Sequence, residues 1–128
     1  MRLRSIDKIL ARLLAVDVVI ARQRQRRRVV FMNTEVAAFL DSLKAGTPPA
    51  AVPLLRAVWH GLRGEWEAAH QIAQDDASAE GAWVHAWLHR IDGDAANAGY
   101  WYRRAQRNAA KGDPREEGET IAAFLLNR

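Results

Sequence analysis

Histidines are the residues whose type and spacing come closest to a chemical motif. His85 and His89 are four residues apart, and on a helix this spacing lets both imidazoles meet one metal ion. His60 and His70 could join them. However, Ala86 follows His85 where the metalloprotease motif has a Glu, and the chain has no cysteine. The pattern favours a packed or hydrogen-bonded histidine pair over a metal site. If a metal does bind, His85 and His89 are the candidate ligands.

Acidic and hydroxyl side chains form no catalytic constellation in this sequence. Ser78 and Asp94 occupy positions typical of helix caps. The chain also lacks a glycine-rich phosphate loop and a dinucleotide-binding fingerprint. We therefore predict a protein without catalytic residues and without a cofactor.

After Met32, apolar residues recur at helical spacing, and residues that end or begin helices separate these runs. Gly46, Gly64, Gly93 and Gly112 end apolar-periodic runs, and Asp113-Pro114 combines an N-cap with Pro at a first helical position. No segment shows the alternation of a strand. The sequence predicts an all-α fold of about six short helices, paired as antiparallel hairpins by short loops.

The N-terminal segment differs in charge from the rest. Residues 1–31 carry nine Lys and Arg against two Asp, which leaves ten basic and thirteen acidic residues in 32–128. We interpret 1–31 as a basic extension, or as sequence upstream of a true start at Met32, and 32–128 as one domain. The alternatives are a transit peptide and an arm that binds nucleic acid or an anionic surface through Arg22–Arg28.

Two stretches align without gaps at an offset of 29 residues. His60 corresponds to His89, Gly64-Glu65 to Gly93-Asp94, and Ala69 to Ala98. Each copy reads as helix, Gly-acid turn, helix, in repeat units of about residues 50–78 and 79–107. The flanking helices at 34–45 and 114–127 would cap the pair.

The turn Gly64-Glu65-Trp66 with Ala69 resembles that of tetratricopeptide-type helix-turn-helix repeats. The segment from Gly81 to Ala105 also resembles one found in small uncharacterised bacterial proteins. The first resemblance implies a short stacked array whose first helices line a concave groove. By position, the groove residues would be Leu54, Val58 and Leu62 in the first unit and Trp83, Trp87 and Arg90 in the second.

Tryptophan and arginine are enriched at interface hot spots, so this groove predicts a non-catalytic module that binds a protein or peptide. The alternative is that the aromatic residues form the core. Arg103, Arg104 and Arg107 are candidates for contact with an anion. Nucleic-acid binding and a histidine metal site are the second and third functional hypotheses. We expect no membrane span and a cytoplasmic protein, and a homodimer formed through the groove is a further alternative.

Overall fold

The computed structural model describes residues 34–48 and 52–128, and no strand occurs in these ranges. The predicted all-α fold is confirmed. The basic segment 1–31, including Arg22–Arg28, lies outside the described residues. Glu35–Arg128 form one compact unit. Its helices are α1, described over residues 34–45, followed by α2 (Pro53–Leu62), α3 (Trp66–Gln74), α4 (Ala79–Ile91), α5 (Ala95–Arg104) and α6 (Pro114–Leu126).

Side-chain caps begin three of these helices where the sequence predicts them. Ser78 Oγ accepts a hydrogen bond from Gly81 N at 3.0 Å. Asp94 Oδ1 accepts from Asn97 N at 3.1 Å, and Asp113 Oδ1 accepts from Arg115 N at 2.9 Å. Each bond satisfies one of the amide groups that have no partner within the helix, so local chemistry fixes where α4, α5 and α6 begin.

The two Gly-acid turns have the same geometry. Gly64 and Gly93 lie at φ +80° and +78°, a left-handed conformation in which a side chain would be strained. Glu65 N donates to His60 O and Asp94 N to His89 O, both at 2.9 Å. These bonds, each spanning five residues, are typical of a Schellman motif at a helix end. They make the α2–α3 and α4–α5 connections equivalent.

Helix α4 is the centre of the packing. It pairs with α5 in one hairpin, packs against α3 of the preceding hairpin, and also contacts α2 and α6. Its residues 81–89 are buried without interruption. The hairpins α2–α3 and α4–α5 are thus stacked side by side, as expected for a short helical array.

Helix α6 packs against α2 and α4, the first helices of the two hairpins. Its residues Ile121, Ala122 and Leu125 are buried on this face. Trp87 lies fully buried between α2 and α6, where Gly61 and Gly118 leave room for its indole ring. The face that the repeat assigns to the groove is therefore covered by the chain's own last helix, and its tryptophans lie in the core, which is the alternative that the sequence left open.

Candidate functional site

Three histidines come together where the two hairpins meet. His70 lies on α3, and His85 and His89 lie one turn apart on α4. The Nε2 atoms of His70 and His85 are 2.9 Å apart, within hydrogen-bond distance. One metal-ligating nitrogen from each ring lies within 4.8 Å of the other two. The predicted His85–His89 pair thus gains a third imidazole from the neighbouring hairpin.

Aromatic rings enclose this cluster. The Trp66 indole stacks on His70, with centroids 4.5 Å apart, and Trp101 stacks on His85 at 3.8 Å. Trp66 Nε1 also donates a hydrogen bond to Leu88 O at 2.7 Å, which ties this indole to α4. The ring orientations are therefore fixed by packing before any ligand binds, which is the kind of support that a defined site requires.

Burial keeps the two α4 histidines neutral. His85 and His89 are only 5% and 8% exposed. Desolvation, together with the neighbouring histidines, lowers the pKa of His85 to about 4, and burial also lowers the pKa of His89. Neutral imidazoles have a free nitrogen lone pair at pH 7, the form in which histidine binds a metal.

The cluster matches the requirements of an imidazole-bound transition metal. Two zinc-bound nitrogens in tetrahedral geometry are about 3.3 Å apart, given Zn–N bonds of about 2.0–2.1 Å. The 2.9 Å separation of the His70 and His85 nitrogens has to widen by only a few tenths of an ångström. A metal ion would take the place of the proton between these two Nε2 atoms. The imidazole that carries this proton on Nε2 would then carry it on its own Nδ1.

His60 does not take part in this cluster. Its Nδ1 lies 3.1 Å from Glu65 Oε1, in the turn between α2 and α3, and Arg63 contacts the same carboxylate. The histidine bond is the main cause of the lowered Glu65 pKa. The repeat aligns His60 with His89, but only His89 joins the cluster.

Trp83, Trp87 and Arg90, the groove residues predicted from the second repeat unit, contact α6. Trp87 Nε1 donates to Pro114 O at 2.7 Å, and Trp83 Nε1 donates to Glu117 Oε2 at 3.3 Å. Arg90 pairs with Glu117 Oε1 at 3.0 Å and also donates to Gly112 O. Partner binding by these side chains stays a prediction, and it would require α6 to move away.

Glu117 is the residue that organises this contact. Tyr102 Oη lies 2.7 Å from both of its carboxylate oxygens. Burial and the neighbouring carboxylate raise the Tyr102 pKa, so the phenol stays protonated and donates. The helical spacing of Glu117 with Ile121 and Leu125, four and eight residues on, was a sequence signal that this acid faces inward.

The first-unit groove residues are also covered. Leu54 and Val58 are buried in the core. Leu62 is half-buried, and its side chain lies against Gly118 of α6. These residues therefore act in the packing of α2 against its neighbours.

The arginines of α5 and its C-terminal end do not converge on one point. The Arg107 guanidinium lies 3.5 Å from the centroid of the Trp83 ring, in a cleft of about 520 Å³ that Glu116 and Asp113 also line. Arg104 lies over Trp101 at 5.4 Å and lines a different cleft. Anion contact by Arg103, Arg104 and Arg107 stays a prediction.

The chain was compared with protein-family models, curated proteins and solved structures, and none of them matches. Among the described residues, no helix has the length and apolarity that a bilayer crossing requires.

Proposed function

We propose that this protein binds one divalent transition-metal ion through His70, His85 and His89. The observation that carries the proposal is the convergence of three imidazoles from two hairpins, with their ligand nitrogens within 4.8 Å of one another. This histidine site was the third hypothesis drawn from the sequence, and the contribution of α3 moves it to first place.

The chemistry of the donors indicates the class of metal. All three candidate ligands are imidazoles, which suit Zn²⁺, Cu²⁺, Ni²⁺ and Co²⁺, whereas Mg²⁺ and Ca²⁺ require oxygen ligands. Burial favours the neutral form of His85 and His89, so little proton competition opposes binding at pH 7.

The test is a calorimetric titration of Zn²⁺ into untagged, chelator-treated protein. We expect one Zn²⁺ per chain, and a loss of affinity on the order of 100-fold or more for H70A, H85A and H89A, since even outer-shell changes cost about 10–100-fold. The matched control is H60A, which removes the one remaining histidine from an exposed ion pair and should bind as the wild type does.

Two further measurements distinguish a lost metal site from a misfolded variant. Circular dichroism of each metal-free variant has to show the wild-type helical signal. Quenching of tryptophan fluorescence by Cu²⁺ should occur in the wild type and in H60A, because Trp66 and Trp101 stack on ligand rings. Wild-type affinity in folded H70A and H85A would contradict the proposal.

The stacked hairpins also support a divergent tetratricopeptide-like relationship. The supporting observation is the equivalent helix end at Gly64 and Gly93, each followed by an acid that begins the next helix. Protein binding and a cytoplasmic location remain predictions from the sequence.

A further inference from the structure

A metal ion at the three histidines would need a further ligand to complete four-coordination. Two other candidate ligand side chains make contacts elsewhere. His60 pairs with Glu65 in the α2–α3 turn, and the Asp94 carboxylate caps α5 through Asn97 N. Among the described residues, the group that can hold a metal consists of His70, His85 and His89. Zinc with three protein ligands keeps its remaining position for water or an exogenous molecule.

The charge of the site determines which ligand is favoured there. Three neutral imidazoles add no negative charge to a divalent ion, and the carboxylates of Asp92 and Asp94 act on His89 from outside the ligand group. Desolvation strengthens the attraction between this ion and an anion, since His85 and His89 are largely buried. A bound water would also lose a proton easily, because metal coordination lowers its pKa.

The surroundings limit the size of the ligand. The Trp66 indole stacks flat on His70, and the Trp101 indole stacks flat on His85. The hydrogen bond from Trp66 Nε1 to Leu88 O restrains the position of the indole ring beside His70. Aromatic rings packed this closely against the histidines leave no space for a bulky ligand.

From these observations we infer that the metal-loaded site keeps one exchangeable coordination position, which binds a small monodentate anion such as hydroxide or azide. This inference rests on the proposed metal binding. It places a small-anion site beside residues of α3, α4 and α5.

Cobalt substitution tests the inference on the full chain. Co²⁺ bound by three histidines and one further ligand has visible absorption bands that shift when that ligand is exchanged. Titration of the Co²⁺-loaded protein with sodium azide should shift these bands in a saturable way. Sodium perchlorate at the same ionic strength, which does not coordinate, should leave them unchanged. H60A serves as the matched control and should behave as the wild type does.

The outcomes separate the two proposals. If calorimetry detects no Co²⁺ or Zn²⁺ binding, the metal site itself is refuted. If Co²⁺ binds one to one but azide leaves its spectrum unchanged, metal binding stands and the exchangeable position is refuted, because the chain supplies the last ligand. A spectral shift caused equally by the bulky ligand benzenesulfonamide would overturn the restriction to small anions.

Discussion

At the level of single residues, His85 shows how burial changes chemistry. It is enclosed by Trp101, His70 and His89, and this environment penalises the charged imidazolium. The same desolvation that lowers its pKa to about 4 prepares it as a neutral ligand. An ordinary histidine would be partly protonated near pH 6.5 and would compete less well for a metal.

This pKa shift predicts a pH dependence of stability in the metal-free protein. Between pH 6.5 and 4 the unfolded chain binds a proton at His85 and the folded chain does not, so stability falls as pH falls through this window. We expect the free energy of unfolding in urea, with chelator present, to decrease by about 2 kcal/mol between pH 7 and pH 4.5 from this residue alone. H85N should reduce this decrease, and an equally steep decrease in H85N would contradict the assignment.

At the level of helices, the contact of α6 with α2 and α4 depends on a glycine. A Cβ added at Gly118 would meet the Trp87 indole and would lie 2.8 Å from Leu62 Cδ2. The absence of a side chain therefore allows α6 to approach the central helix closely. Once α6 is in place, Glu117 reaches Tyr102 and Arg90.

We predict that G118A destabilises the protein although alanine favours helix formation. Overpacking against Trp87 should lower the free energy of unfolding by about 1–3 kcal/mol, which chemical denaturation measures. The control is G99A on α5, where the nearest atom to an added Cβ is Arg103 Nη1 at 3.5 Å. That change should be neutral or stabilising by up to about 1 kcal/mol. Equal effects at both sites would show that the α6 contact is not close-packed.

At the level of the whole molecule, a metal ion would join the two hairpins. His70 belongs to the α2–α3 hairpin, whereas His85 and His89 belong to the α4–α5 hairpin. The ion would thus add a link between elements that already meet through apolar packing and the hydrogen bond from Trp66 to Leu88. Because the unfolded chain does not bring these residues together, binding should stabilise the native state.

This link predicts a concentration-dependent rise in melting temperature. Free Zn²⁺ at 100 times its Kd should add about 2.7 kcal/mol, which corresponds to an increase in Tm of roughly 10 °C for a protein of this size. Differential scanning calorimetry provides the measurement, with Mg²⁺ as the control ion because it prefers oxygen ligands. An unchanged Tm with Zn²⁺, or an equal rise with Mg²⁺, would oppose the proposed site.

The amino-acid sequence by itself determined the helices and their ends. Ser78, Asp94 and Asp113 cap the helices that the sequence assigns to them, and Gly64 and Gly93 adopt the left-handed conformation that the turns require. These features could be predicted because each depends on residues within a turn or two along the chain.

Only the tertiary structure decided which surfaces remain available. His70 meets His85 across 15 residues, and Glu117 meets Arg90 across 27 and Trp83 across 34. Such contacts depend on how whole helices pack, and neither helical spacing nor a repeat of 29 residues specifies where α6 lies. For this reason the tryptophans that the repeat assigned to a groove lie in the core, the alternative that the sequence left open. For the same reason the His85–His89 pair, for which the sequence favoured packing over metal binding, is now part of the candidate site.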